Sequence, residues 1–207
     1  MADAIKPSRP ILPDLLHTLE SSPMVSYAVD ENLQVQYCNP AWDRFAVDNG
    51  APELKAERAL GTDLRHVIPE DLRPFYLQAF EQAEKSGTVW ECLYECSSPQ
   101  VFRKFQMRIH PLRPPGWALV TNALTSERLH TEVVTAGLVA YVDSYAQITM
   151  CSHCRRSRRA DKRERWDFVP AHLEPHLSNI SHGLCPICLE YFYPQPKDDS
   201  PSDSTVA

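Results

Sequence analysis

Four cysteines stand in two pairs of the form Cys-x-x-Cys: Cys151-Ser152-His153-Cys154 and, after thirty intervening residues, Cys185-Pro186-Ile187-Cys188. Two tight turns that each present two sulfurs can close around one ion, and Zn²⁺ takes four thiolates tetrahedrally at about 2.3 Å. The spacing therefore points to a closed, structural zinc site with Cys151, Cys154, Cys185 and Cys188 as ligands. A closed site has no open coordination position for a substrate, so metal catalysis is not expected here. The intervening loop exceeds the roughly 15–20 residues of the commonest double pattern, which requires a small subdomain to fill it. Trp166, Phe168, Val169 and Leu173 supply its apolar mass, and Ser181-His182-Gly183 leads into the second turn.

Other readings of these cysteines are weaker. A redox dithiol needs only one pair and a strand-then-helix setting, which neither pair shows in its flanking sequence. Burial as small hydrophobes does not explain paired spacing at both ends. His153 and His182 each lie within three residues of a cysteine and could complete a Cys3His set, but with four thiols at hand they are expected to support a ligand or face solvent. The remaining Cys38, Cys92 and Cys96 read as small core or strand residues. Seven cysteines, four of them committed to metal, suit a reducing compartment better than a disulfide framework. Zinc release on thiol oxidation is compatible with such a site.

Between the two pairs runs a basic stretch. Arg155, Arg156, Arg158, Arg159, Lys162, Arg163 and Arg165 face only Asp161 and Glu164, a local excess of five positive charges. An arginine arm beside a zinc module could grip phosphates, which makes nucleic acid an alternative partner. The simpler explanation is that a Zn(Cys⁻)4 centre carries about two negative charges that neighbouring cations offset. No aromatic interleaving accompanies the run, and the whole chain has a net charge of −6.

The 207 residues leave room for one ordinary domain and a small appendix, and 43% hydrophobic with 23% charged residues allows a real core. No apolar run approaches the roughly 20 residues of a membrane span, and no basic-then-apolar leader is visible, so a cytoplasmic protein without a membrane partner is expected. No kinase, cyclase or phosphodiesterase segment fits the remaining length, and no Ser/His/Asp order stands out, so an enzyme is not expected.

Upstream of the cysteines the patterning is regular. Residues 1–20 are a lead-in ending in a short helix from Asp14. Val25, Tyr27 and Val29, then Leu33, Val35 and Tyr37, alternate as two arms of an antiparallel hairpin with one buried face. Asn39-Pro40 has the form of an N-cap and first helical residue, with Trp42, Phe45 and Ala46 at helical spacing. Leu72, Phe75, Tyr76, Ala79, Phe80 and Ala83 mark the strongest helix, which Gly87 ends. Strand signals follow at Thr88 to Cys96, Val101 to Pro111 and Gly116 to Leu124, giving the order α β β α, a short turn, α β β β.

That order resembles a PAS domain, with the likeness carried by Tyr27 through Val35, Asn39, Pro40, Trp42 and Phe45, by Leu60-Gly61-Thr62-Asp63-Leu64, and by the three later strands. The resemblance implies an α+β fold, a five-stranded antiparallel sheet with helices on one face, and a sensory role in which a ligand, cofactor, redox change or partner perturbs the sheet. No Asn-Cys-Arg-Phe motif of the flavin-binding branch is present, and residues 70–86 hold no histidine of the kind that binds haem in some members. His66 and His110 are expected to be exposed or hydrogen-bonded, and the ligand of any PAS cavity stays unknown. The sensory domain is placed at 21–124 and a connector at 125–137, with a short helix around Leu129, Val133 and Val134.

Residues 138–193 form the zinc-binding module, which opens on a β-hairpin that delivers Cys151. This part is similar to a small cysteine-rich module attached to bacterial sensory domains, through Met150 to Arg156, Trp166, Ser181 to Leu189, Tyr191 and Tyr193. The resemblance implies a metal-binding fold with Cys151, Cys154, Cys185 and Cys188 as ligands and supplies no activity; the function expected of the whole is a non-enzymatic sensory or regulatory one, in which the module docks a protein partner or steadies a homodimer. Residues 194–207, rich in Pro, Ser and Asp, read as a disordered tail.

Overall fold

The computed structural model describes residues 11–98, 100–130, 138–173 and 179–195. The N-terminal lead-in before residue 11, the helix expected around Val133 and Val134, and the tail from residue 196 lie outside the described residues.

A five-stranded antiparallel sheet has the order β2-β1-β5-β4-β3, from β1 (Val25–Val29), β2 (Val35–Cys38), β3 (Trp90–Glu95), β4 (Val101–Pro111) and β5 (Ala118–Leu129). The helices are α1 (Pro13–Ser21), α2 (Pro40–Asp48), α3 (Ala56–Ala59), α4 (Leu64–Val67) and α5 (Arg73–Ser86). Local chemistry places their ends. Asn39 accepts the Trp42 amide on its side chain at 3.2 Å while Pro40 fills the first turn of α2, and Gly87 closes α5 with φ +64°. A 3₁₀ turn, Glu70–Leu72, leads into α5.

The main core lies between the sheet and α5, where Tyr27, Val29, Val35, Ile109 and Val120 meet Ala79 and Ala83. A second core on the opposite face unites Leu19 of α1 with Ala28, Tyr37 and Leu119. β1 is thus covered on both faces, where a hairpin with one buried face is expected from its alternation. The reason is α1, whose apolar residues need a surface of their own. A bulge contributes as well: Val29 pairs with Val35 but Ala28 with Tyr37, so Gln36 is the extra residue and Val35 and Tyr37 fall on different faces. The Gln36 amide donates to Asp30 Oδ2 at 2.7 Å.

β5 continues to Leu129, so strand rather than helix occupies residues 125–129. Its partner β4 is one residue shorter, and the Val101↔Leu129 to Pro111↔Ala118 register holds the extension in place.

The C-terminal part has its own sheet, β8-β7-β6-β9, from β6 (Ile148–Cys151), β7 (Ser157–Arg158), β8 (Trp166–Asp167) and β9 (Ile180–Gly183), followed by α6 (Pro186–Phe192). Its small core is Tyr141, Ile148 and Val169. The first arm of the expected hairpin winds instead into a 3₁₀ turn, Leu138–Tyr141, and pairs with β6 through the isolated Val142↔Ile148 bridge. Tyr141 explains the winding: it turns inward, is almost fully buried, and donates its hydroxyl to Asp167 Oδ2 at 2.8 Å.

Candidate metal centre

β6 and β9 run parallel, with Met150 opposite His182 and Cys151 opposite Gly183. That pairing sets the two Cys-x-x-Cys turns side by side. The first turn is a knuckle: Arg155 N–H donates to the Cys151 carbonyl at 3.1 Å, and Arg155 takes φ +61° to let the chain double back. The second turn opens α6, with Cys185 just before its first residue, Pro186, and Cys188 on its first turn.

All four sulfurs lie within 4.8 Å of one another and are buried. Cys154 Sγ and Cys185 Sγ are 3.7 Å apart. Four thiolates at about 2.3 Å from a tetrahedral ion have sulfurs about 3.8 Å apart, so the donor set and its spacing fit a divalent cation. The backbone N–H of Cys185 donates to Cys151 Sγ at 3.4 Å, which stabilises negative charge on that sulfur. Hydrogen bonds from the Cys154, Cys185 and Cys188 thiols hold Cys151 far below the ordinary thiol range, and Cys188, donating toward Cys151, is held far above it. Four buried thiols this close cannot all ionise on their own, and a cation would take the place of the shared protons.

His153 is not a fifth candidate ligand. Its Nε2 accepts the backbone N–H of Glu95 at 3.3 Å, which leaves Nδ1 as the donor to Cys188 Sγ, also at 3.3 Å. Burial pushes its pKa down to about 4, so the ring is neutral and carries the single N–H this arrangement needs. His182 is exposed. β3 is an edge strand, and its outward N–H groups would otherwise face solvent. The first cysteine turn thus caps one of them.

The centre is built against the sheet domain. Cys151, Cys154, Cys185, Cys188 and Phe192 form one buried cluster with Leu72, onto which Phe75 and Tyr76 of α5 pack. Phe192 meets Phe75 edge-on with ring centroids 4.7 Å apart, and His153 at 4.6 Å. Ser152 Oγ donates to Asp71 Oδ2 at 2.8 Å, and Tyr193 Oη donates to the Asp71 carbonyl at 2.7 Å. Asp71, Phe75 and Glu95 were legible only as a helix-start acid, a core aromatic and a strand residue. The sequence signal for this interface is the aromatic run Tyr191, Phe192 and Tyr193 shortly after the last cysteine, of which Phe192 is buried in the cluster and Tyr193 packs against it.

The basic run divides. Arg156 lies beside the Cys154 sulfur and pairs with Glu95 at 3.4 Å. Arg159 pairs with Asp161 at 2.7 Å and Arg165 with Asp167 at 2.9 Å. Arg158 donates to Thr149 Oγ1 at 3.1 Å and covers the Trp166 ring. Of these, Arg156 alone bears on the charge of the cysteine cluster; the others hold the small sheet together. Elsewhere, His66 is exposed and His110 meets Thr121 Oγ1 at 3.2 Å, while Cys38, Cys92 and Cys96 are free and partly buried.

Residues 19–128 match the PAS fold family, just over half of the chain, and the chain belongs to that family. Solved structures similar to it include a domain of an HTR-like protein from Haloarcula marismortui (18% identity, covering 51% of this chain and 100% of that one, TM-score 0.38). The PAS domain of nitrogen regulation protein NR(II) from Vibrio parahaemolyticus is also similar (16%, 53% and 95%, TM-score 0.37). So is the photoactive yellow protein domain of the sensor histidine kinase Ppr from Rhodospirillum centenum (17%, 52% and 90%, TM-score 0.38). Likenesses this distant say nothing of a shared ligand or signal. No curated protein matches the chain. Among the described residues no helix is long and apolar enough to cross a membrane.

Proposed function

We propose that the chain is a non-enzymatic sensory or regulatory protein of the cytoplasm, in which the PAS domain is coupled to a structural Zn(Cys)4 module whose docked state is read by a protein partner or a second copy of the chain. Zinc is the natural occupant because it favours four thiolates, needs no particular ligand field and has no redox chemistry of its own. Bound there by Cys151, Cys154, Cys185 and Cys188, it supplies a cross-link between two turns rather than a reactive centre. The observation that carries the reading is the His153 bridge, which joins Cys188 Sγ to the Glu95 amide of the sheet edge. Through it, what happens to the cysteine cluster and what happens to β3 are linked. Oxidation of the thiols would break the cross-link and free the module, which makes redox release of the metal a compatible signal.

Nucleic-acid binding through Arg155–Arg165 is the lesser reading, because Arg156, Arg158, Arg159 and Arg165 already have partners within the fold. Replacing Arg158, Arg159 and Arg163 with alanine separates the two: the nucleic-acid reading requires a salt-dependent loss of binding with metal content unchanged.

The decisive experiment is hydrogen exchange on the purified chain with its metal content measured, before and after chelation. The expected result is one zinc per chain, with exchange at Glu95 and at the start of α5 rising together once the metal is removed. Absence of metal in carefully reduced protein, or a Glu95 amide indifferent to chelation, overturns the proposal.

A further inference from the structure

A cleft of about 230 Å³ opens where the far end of the sheet meets the metal module. Its walls carry three rings, Phe102 of β4, His130 just beyond β5, and Phe168 of the module. His130 stacks on Phe168 with centroids 4.1 Å apart and planes at 25°, and its Nε2 is placed 3.0 Å from the Ser98 carbonyl. The ring is therefore fixed from both chain segments. Two guanidinium groups join them. Arg156 is paired with Glu95, whereas Arg128 lies over the Phe102 ring at 4.8 Å and has no carboxylate partner among the described residues. Among the described residues that line the cleft, two cations stand against one carboxylate.

Size, shape and charge together define a ligand class. The volume lies below the roughly 300–1,000 Å³ of drug-sized pockets, which limits the occupant to one or two small rings. An inorganic anion would satisfy Arg128 but make no use of the aromatic lining. A neutral ring would meet the aromatic lining but leave the Arg128 charge unanswered. A planar ring with one carboxylate answers both, since guanidinium binds carboxylate in a two-pronged fashion. We propose that this cleft binds a small aromatic monocarboxylate, with its carboxylate on Arg128 and its ring against the aromatic lining that His130 shares with Phe102 and Phe168. Such a ligand touches β4, β5 and the module at once, so it binds best to the docked arrangement and stabilises it by that difference in affinity. The inference deepens the regulatory reading, on which it rests, by naming the class of signal.

Calorimetric titration of the metal-loaded full chain tests it, with benzoate and indole-3-carboxylate as probes and benzamide and inorganic phosphate as contrasts. The expected result is binding of at least one carboxylate about tenfold or more tighter than either contrast, weakened about tenfold or more by Arg128→Gln and by Phe168→Ala. Arg128→Lys, which keeps the charge but loses the planar fork, falls between Gln and the parent. Because Arg128 is exposed near the end of β5, metal content serves as the check that variants are folded. No binding by either carboxylate at millimolar concentration, phosphate binding as tightly as the carboxylates, or indifference to both the Gln and Lys variants overturns the inference. Any of these with Glu95 exchange still dependent on metal removes the ligand class alone, whereas a Glu95 amide indifferent to chelation removes the regulatory reading itself.

Discussion

Phe192 sits where the metal module and α5 meet, so trimming it to alanine separates docking from metal binding. The ring is 4% exposed and contacts Phe75 and His153 edge-on. Phe→Ala in a packed core costs about 3–5 kcal/mol, within which each aromatic pair accounts for about 0.5–1.5 kcal/mol. Three hydrogen bonds that remain across the junction beside the Arg156–Glu95 pair, Ser152 to Asp71, Tyr193 to Asp71 and Glu95 to His153, are worth about 0.5–1.5 kcal/mol each. Loss of the ring therefore rivals these three hydrogen bonds taken together. Structural zinc binding, by contrast, contributes about 10–16 kcal/mol in small metal-folded domains, so the module keeps its ion. The expected result for Phe192→Ala is an unchanged metal stoichiometry, with protection of the Glu95 amide falling roughly a hundredfold or more, since each 1.4 kcal/mol is a factor of ten. Elemental analysis and site-resolved hydrogen exchange read the two quantities. Unaltered protection of Glu95, or metal lost in step with it, would refute the separation of docking from metal binding.

Cys154→Ser should abolish stoichiometric metal binding, because a hydroxyl does not ionise to replace a thiolate; elemental analysis of the variant at equal protein concentration checks this. A double-mutant cycle on Ser152→Ala and Asp71→Ala should return a coupling of about 0.5–3 kcal/mol in urea denaturation, while additive effects would mean that the 2.8 Å hydrogen bond does not stabilise the junction. Burial holds the His172 pKa below its usual value, with Nδ1 against Ser157 Oγ at 2.8 Å. The fold keeps this ring neutral, so its contribution is complete above about pH 6.5. It is lost on acidification at up to about 1.4 kcal/mol per pH unit, as the unfolded chain takes up a proton the fold refuses. Replacing His172 with Asn should flatten the fall in urea midpoint between about pH 7.5 and 5.5; an unchanged slope assigns the acid sensitivity elsewhere.

Much of the sheet domain is written locally. Asn39-Pro40 starts α2 through a side chain that reaches an amide three residues on, and Gly87 ends α5 through its own left-handed backbone. Signals of this kind need only a few neighbouring residues, and the 3.6-residue period of α5 needs only one turn after another. The bulge at Gln36 was not legible, because alternation in one strand does not reveal how many residues its partner holds. The strand at 125–129 escaped for a related reason: its polar exposed residues are held by pairing with β4 rather than by their own preference.

The four cysteines were identified by spacing alone, since two thiols per tight turn is a pattern that carries its own chemistry. What brings them together is the parallel pairing of β6 with β9, from residues 148 and 180 onward, and no local feature announces a pairing over that distance. The same holds for the module's seat on the sheet domain. Asp71, Phe75 and Glu95 have ordinary roles in their own elements, and they acquire a second role only because Ser152, His153 and Phe192 arrive from far along the chain. The sequence by itself therefore determined which atoms could hold a metal ion, whereas the tertiary structure decided what the cysteine cluster is fastened to, because contacts between distant segments depend on how the whole chain closes.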